Sequence, residues 1–270
     1  MEVETPIRIP APAPEAHIDP QESGSWFLQT SPELCMKRLL CSGCQNIFQI
    51  CKCFRKNERG RLHLPEMTML EWYRTHADYH QLMTDCEALL KYLLPDQILN
   101  VNNTTISLKT PWPQITLQDA FSQFSQTPLR SALRSNTFEE ILVEEVEPHL
   151  GIDSPVFITD YPAELASLAR LTPGNPETAQ RCELYINGIE IANGFSELND
   201  PDEQRRRFEK ELAIIHSSGK NPGPLPEKFL ADLALMPHSA GIALGLDRLV
   251  LLLTNTKIID EVVAFTPETL

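Results

Sequence analysis

Apolar and polar residues alternate with a period of two from Asn46 to Lys56 and again from Met67 to Tyr73, which predicts two strands around a basic loop. Met67, Met69, Glu71 and Tyr73 then share one face of the second strand. Short extended runs are expected at Val3–Ile9 and Ser25–Thr30. Ser31-Pro32-Glu33 starts a helix, with Ser31 as N-cap and Pro32 in the first helical position, that runs to about Cys41. The pattern changes to helical spacing in Thr75–Leu94, where Tyr79, Leu82, Met83, Cys86, Leu89, Leu90 and Leu93 form one apolar stripe that ends at Pro95. Residues 96–115 alternate weakly, with a hairpin expected around Asn102 and Asn103. From Thr116 to about Gly151, two helical patterns carry Glu139, Glu140, Glu144, Glu145 and Glu147, which predicts a peripheral subdomain with a solvated acidic face.

Asn187-Gly188 is a two-residue hairpin signal. Pairing 186 with 189, 185 with 190 and 183 with 192 puts Glu183, Tyr185 and Glu190 on the face opposite Leu184, Ile186, Ile189 and Ile191. The two carboxylates become diagonal neighbours, an arrangement that suits either a divalent cation with bound phosphate or a wet outer sheet face. Further on, Gly241 and Gly245 permit close backbone approach ahead of Asp247-Arg248 and an apolar helix ending at Leu253.

Composition narrows the function classes. Acidic residues exceed basic ones by 37 − 23 = 14, which excludes a generally nucleic-acid-binding surface and leaves room for a local basic site. Lys56, Arg59, Arg61 and His63, next to Arg55, supply such a site for a polyphosphate, or else a solvated hairpin tip. No apolar signal-peptide run opens the chain, and Leu249–Leu253 is too short to span a bilayer, so a soluble cytoplasmic protein without membrane contact is expected. Cys41, Cys44, Cys51 and Cys53 invite a zinc assignment, but Cys51 and Cys53 alternate within a strand and no histidine pair follows. An odd cysteine count argues against disulfides.

Taken in order, these stretches resemble the signature motifs of class II aminoacyl-tRNA synthetases, in particular the catalytic core of lysyl-tRNA synthetase. VETP at Val3–Pro6 is similar to the end of the first motif, FRKNERGRLHLPEMTMLEWY to the second with its loop, and GIALGLDR to the third. TSPELCMKRLL and EIANGFSEL are similar to lysine-activating enzymes, and the match covers nearly the whole chain. The resemblance implies an α+β fold, a mostly antiparallel sheet flanked by helices, in one catalytic domain over residues 1–270 with a small helical insertion at about 116–151. No oligonucleotide-binding barrel precedes the core, so no anticodon-binding domain is expected. Ser31 and Ala243 stand where the synthetases usually carry alanine and glycine, and these replacements resemble the stand-alone paralogues that ligate (R)-β-lysine to elongation factor P.

That resemblance implies activation of β-lysine by ATP, with Mg2+, as an adenylate, then transfer to a lysine ε-amino group of elongation factor P as the acceptor. Arg55 would hold the α-phosphate and Arg248 the γ-phosphate. Lys56, Asn57, Glu58, His63, Leu64, Met67, Glu190, Ile191 and Gly245 would lie beside ATP, and Glu183 and Glu190 would carry the metal. Glu33 and Glu71 would receive the amino group near the reacting carboxylate, and Tyr73 and Glu197 the distal ammonium. Ser31, Pro32, Asn193, Phe195 and Ala243 would line the pocket. Asn57, Leu64 and Met67 depart from the family's glutamate, asparagine and adenine-stacking phenylalanine. The long first-motif helix that builds the family homodimer does not precede Met1, so an N-terminal truncation is expected, with dimerisation in question. Two other functions fit the same residues: a free-standing lysine-activating domain that charges tRNA or another carrier, and a non-catalytic regulatory subunit.

Overall fold

A computed structural model describes residues 1–270 apart from Asn103 and Pro222. The chain forms β1 (Arg8–Ile9), β2 (Glu22–Ser23), β3 (Trp26–Leu28), α1 (Glu33–Cys41), β4 (Asn46–Phe54), β5 (Glu66–Thr75), α2 (Tyr79–Leu93), β6 (Ile98–Val101), β7 (Thr104–Ser107) and β8 (Gln114–Thr116). A helical run follows: α3 (Leu117–Phe124), α4 (Leu129–Ser135), α5 (Phe138–Ile141), a π turn (Leu142–Val146) and a 3-10 turn (Glu147–His149). The last part holds β9 (Val156–Pro162), β10 (Leu171–Thr172), β11 (Asn175–Ile186), β12 (Ile189–Ser196), α6 (Pro201–Ser217), α7 (Glu227–Leu233), β13 (Ser239–Gly245) and α8 (Leu246–Leu253). The chain packs as two compact units: Met1–Ala77, Glu197–Asp247 and Lys257–Leu270 in the first, Asp78–Ser196 and Arg248–Thr256 in the second. Among the described residues, no helix is long and apolar enough to cross a membrane.

The first unit is built on the antiparallel strands β4, β5 and β13, with β5 in the middle. The expected strand, basic loop and strand are therefore present, and the glycine-rich stretch before Asp247, not expected to be a strand, is the third. At Val3–Ile9 only Arg8–Ile9 is strand, because Pro6 and Pro10 remove backbone donors on either side. Helix α1 starts one residue later than expected: Pro32 takes the cap position, and the Ser31 hydroxyl accepts from the Glu33 amide at 3.2 Å. Its buried face, Leu34, Met36, Lys37 and Leu40, includes a lysine.

The second unit holds β12, β11 and β9 in antiparallel order, with β8 parallel to β9. The Asn187-Gly188 turn closes the β11–β12 hairpin with both residues at positive φ, 53° and 70°. The β6–β7 hairpin forms around the expected turn, of which Asn103 lies outside the described residues. The run at 117–150 is less peripheral than expected. Leu117, Phe121, Leu129, Phe138, Leu142 and Val146 join Ile158 and Tyr185 of the strands in one core, so the insertion is part of the unit's interior. Glu139, Glu140 and Glu144 are exposed as expected, whereas Glu147 is drawn inward.

Candidate active site

Strand register gathers the first unit's chemistry onto one face. Gly241 lies opposite Tyr73, Ala243 opposite Glu71 and Gly245 opposite Met69, while β4 brings Gln49, Cys51 and Cys53 opposite Glu71, Met69 and Met67. Glu71 is 1% exposed; its Oε2 accepts from the Tyr73 hydroxyl at 2.8 Å, and its Oε1 has no partner. Glu197, also 1% exposed, carries an unpartnered Oε1. Between the carboxylates sits Lys37, whose Nζ is 2.6 Å from Glu33 Oε1 and 2.5 Å from Glu197 Oε2.

Three carboxylates, Glu71 and Glu197 buried and Glu33 partly exposed, thus cluster near one ammonium, and their protonation reflects the imbalance. Burial, reinforced by Glu33, lifts Glu71 well above the carboxylate range. Glu197 is pushed up to about 8 by burial in spite of Lys37. For Lys37, burial opposes the charge, but Glu197 and Glu33 outweigh it and raise its pKa. The free protein thus meets a shortage of cations by holding protons, and its orphaned acceptors fit a ligand that brings positive charge.

The basic loop divides its charges unevenly. Arg55 directly follows β4, with its amide donating to Pro65 O at 2.9 Å and its guanidinium 3.7 Å from Glu58. Arg59, by contrast, is clamped by Asp260 through two 2.8 Å bonds and by Glu268 at 2.9 and 3.0 Å. Contrary to the polyphosphate reading, it ties the loop to the C-terminal segment. Arg61 likewise reaches Lys257 O at 3.4 Å. Asn57 has φ 67°, a conformation that asparagine tolerates better than glutamate, which gives this departure a backbone rationale. Leu64 is buried at 4% and anchors the loop, Lys56 and His63 are exposed, and Met67 is partly buried. Asp247 accepts from the Thr68 amide at 2.7 Å, which fixes the start of α8 against β5.

In the second unit the expected hairpin register holds at 186–189 and 185–190 and then shifts: Leu184 pairs with Ala192 and Glu183 with Asn193. Ile191 is the extra residue of a bulge. The bulge lets Glu190 share a face with Asn193 and Phe195, which strict alternation forbids. Glu183 accepts from Arg181 at 2.6 Å and from Tyr185 at 2.8 Å, and Arg181 also meets Asn193 Oδ1 at 3.2 Å and lies over the Tyr161 ring. Arg248 donates to Glu190 O at 2.9 Å and lies 3.3 Å from its Oε2. Burial and the Glu190 charge push Glu147 up to about 7, so this residue, expected on a solvated face, belongs with the carboxylates around Tyr185. Phe195 packs against Ala166, Ala169 and Ala179, and Ile191 is buried.

A family model described as tRNA synthetases class II (D, K and N) matches residues 1–269. The chain belongs to that family. Curated relatives from Salmonella gallinarum, Salmonella dublin and Salmonella paratyphi B are each 36% identical over 299 residues, covering 98% of this chain and 88% of theirs, and each is named elongation factor P (R)-β-lysine ligase. The antiparallel strands with flanking helices are those of a class II synthetase, as the motifs implied.

Within this class II synthetase, Ser31, Glu33, Glu71, Tyr73, Glu197 and Ala243 fall in the first unit, together with Arg55, Gly245 and the loop. Glu183, Glu190, Asn193, Phe195 and Arg248 fall in the second. Sequence reasoning missed Lys37, Arg181 and Glu147. The four-residue spacing from Glu33 to Lys37 was a legible signal, since it places both on one helix face.

Proposed function

We propose that this class II synthetase activates (R)-β-lysine with ATP and ligates it to a lysine side chain of elongation factor P. The names of the curated relatives support the substrates, and the observation that carries the reading is the cluster of buried Glu71 and Glu197 with partly exposed Glu33, of which Glu33 and Glu197 pair with the ammonium of Lys37. A diamino acid brings two ammonium groups to that deficit. We assign Glu71 and Glu33 to the amino group near the reacting carboxylate, Glu197 and Tyr73 to the distal one, and Ser31, Pro32, Asn193, Phe195 and Ala243 to the pocket walls.

In the first step a carboxylate oxygen of the amino acid bonds to the α-phosphorus while the bond to pyrophosphate breaks. Arg55 holds the α-phosphate and stabilises the developing charge, and Arg248 holds the γ-phosphate. Lys56, Asn57, Glu58, His63, Leu64, Met67, Ile191 and Gly245 complete our assignment beside ATP. In the second step the neutral acceptor amine attacks the acyl carbon, AMP leaves with the electron pair, and the amine loses a proton. Mg2+, when bound, offsets phosphate charge. The hard oxygen donors of Glu183 and Glu190 fit it, and Glu190 is the readier ligand, because both oxygens of Glu183 already accept hydrogen bonds. The test is to incubate the protein with ATP, β-lysine and elongation factor P. A mass gain of one lysyl residue on the acceptor is expected, and no gain overturns the proposal.

A pH dependence follows from the cluster. Glu197, pushed up to about 8, holds a proton at neutral pH that an arriving ammonium must displace, and burial with Glu33 favours the protonated form of Glu71 as well. Binding of the diamino acid is therefore expected to release protons at pH 7 and to tighten as the pH rises towards about 8. Calorimetry in two buffers of different ionisation enthalpy measures the release; proton uptake, or affinity that falls over this range, contradicts the assignment.

A further inference from the structure

Lys37 belongs to none of the motifs, yet it is among the most buried charged groups of the chain, 1% exposed on the inner face of α1. A lysine without partners would be expensive there. It pairs with residues assigned above to opposite ends of the substrate, Glu33 at 2.6 Å and Glu197 at 2.5 Å. We infer that Lys37 is a positioning residue that sets the charge of the amino-acid pocket: it engages one oxygen each of Glu33 and Glu197, orients both carboxylates, and leaves a deficit of two cations for the ligand to fill.

Geometry favours a resident ammonium over a stand-in that the substrate expels. Glu33 lies one helical turn before Lys37, so the pair is fixed within α1 itself. The oxygen of Glu197 that Lys37 does not engage, Oε1, has no partner and lies against Gly241 and the Tyr73 ring. Lys37 thus holds each carboxylate by one side. Three carboxylates less one ammonium leave two charges, the number that a diamino carboxylic acid supplies, so a substrate with one ammonium would leave a buried carboxylate uncompensated. This inference rests on the proposed function for the identity of the ligand.

The variant Lys37→Met keeps the length of the side chain and removes its charge. It is expected to raise KM for β-lysine in ATP–pyrophosphate exchange by roughly thirtyfold or more, with KM for ATP within about twofold. In a Glu197→Gln background the same substitution is expected to add clearly less than it does alone, because Glu197 transmits part of the effect and Glu33 the rest. Equal losses for both substrates, or full additivity, would mean a merely structural lysine and overturn the inference. Reductive methylation of the unaltered protein with mass mapping covers a variant that fails to fold: Lys37 is expected to stay unlabelled with and without β-lysine. Labelling that appears when β-lysine is added would show expulsion and overturn residency. Absence of exchange in the unaltered protein counts against the proposed function; the role of Lys37 is then decided by calorimetric binding of the diamino acid to both forms, equal affinities overturning it.

Discussion

Replacing Glu71 by glutamine is expected to lower kcat/KM for β-lysine activation by roughly a hundredfold to several thousandfold while leaving the melting temperature nearly unchanged. The two expectations have one cause. In the free protein, burial and Glu33 lift Glu71 well above the carboxylate range, which favours the neutral acid. A carboxamide is close to isosteric with that acid, and its oxygen can still accept from the Tyr73 hydroxyl, which reaches Glu71 Oε2 at 2.8 Å. Folding therefore meets almost the same side chain, and a stability change within about 1 kcal/mol is expected. Substrate binding meets a different one. A carboxylic acid can release its proton and meet an ammonium with a full charge, whereas a carboxamide cannot, and an ammonium paired only with a dipole in a dry pocket loses a large part of its compensation. Exchange kinetics with thermal melting separate the two effects. A variant that melts normally and activates β-lysine within about threefold of the unaltered protein removes Glu71 from the ammonium site.

How far the sequence discloses this arrangement depends on the residue. Period-two alternation across β4 and β5, and the Asn187-Gly188 turn, placed Glu71, Tyr73 and Glu190 on the correct faces, because in these strands burial and turn chemistry agree. The register beyond the turn was not legible. The bulge at Ile191 leaves no mark in a run of buried apolar residues, and it moves Asn193 opposite Glu183. Lys37 was overlooked because a lysine inside a helix pattern reads as solvent-facing; Glu33 on the same helix and Glu197 from a distant segment together make burial tolerable. Arg59 misled for the opposite reason: a cation in a loop of cations looked free for phosphate, but Asp260 and Glu268, some two hundred residues on, take both edges of its guanidinium. Charge pattern shows what a side chain offers, and the tertiary partner decides whether the offer is already taken.

Gly241→Ala is expected to lower kcat/KM for β-lysine by about a hundredfold, with a stability loss of about 1–3 kcal/mol and KM for ATP unaffected. A Cβ at this position would overlap the Tyr73 ring and Glu197 Oε1 at once. Neither can yield freely. Tyr73 is 3% exposed, and its hydroxyl is committed to Glu71; Glu197 is 1% exposed and is held from the other side by Lys37. To admit one methyl, both the ring and Glu197 must shift, the first against its hydrogen bond to Glu71 and the second against its contact with Lys37, and each movement displaces a group assigned to an ammonium. The effect is local to this register position. Two residues along the same face, opposite Glu71, the chain already carries the methyl of Ala243, so β13 does not exclude side chains in general. What excludes one at 241 is the aromatic ring directly across the strand pair and the glutamate beside it. Exchange kinetics with each substrate in turn, together with a melting curve, distinguish this from simple misfolding. A folded variant that activates β-lysine at the unaltered rate would place the amino-acid pocket away from Tyr73 and Glu197.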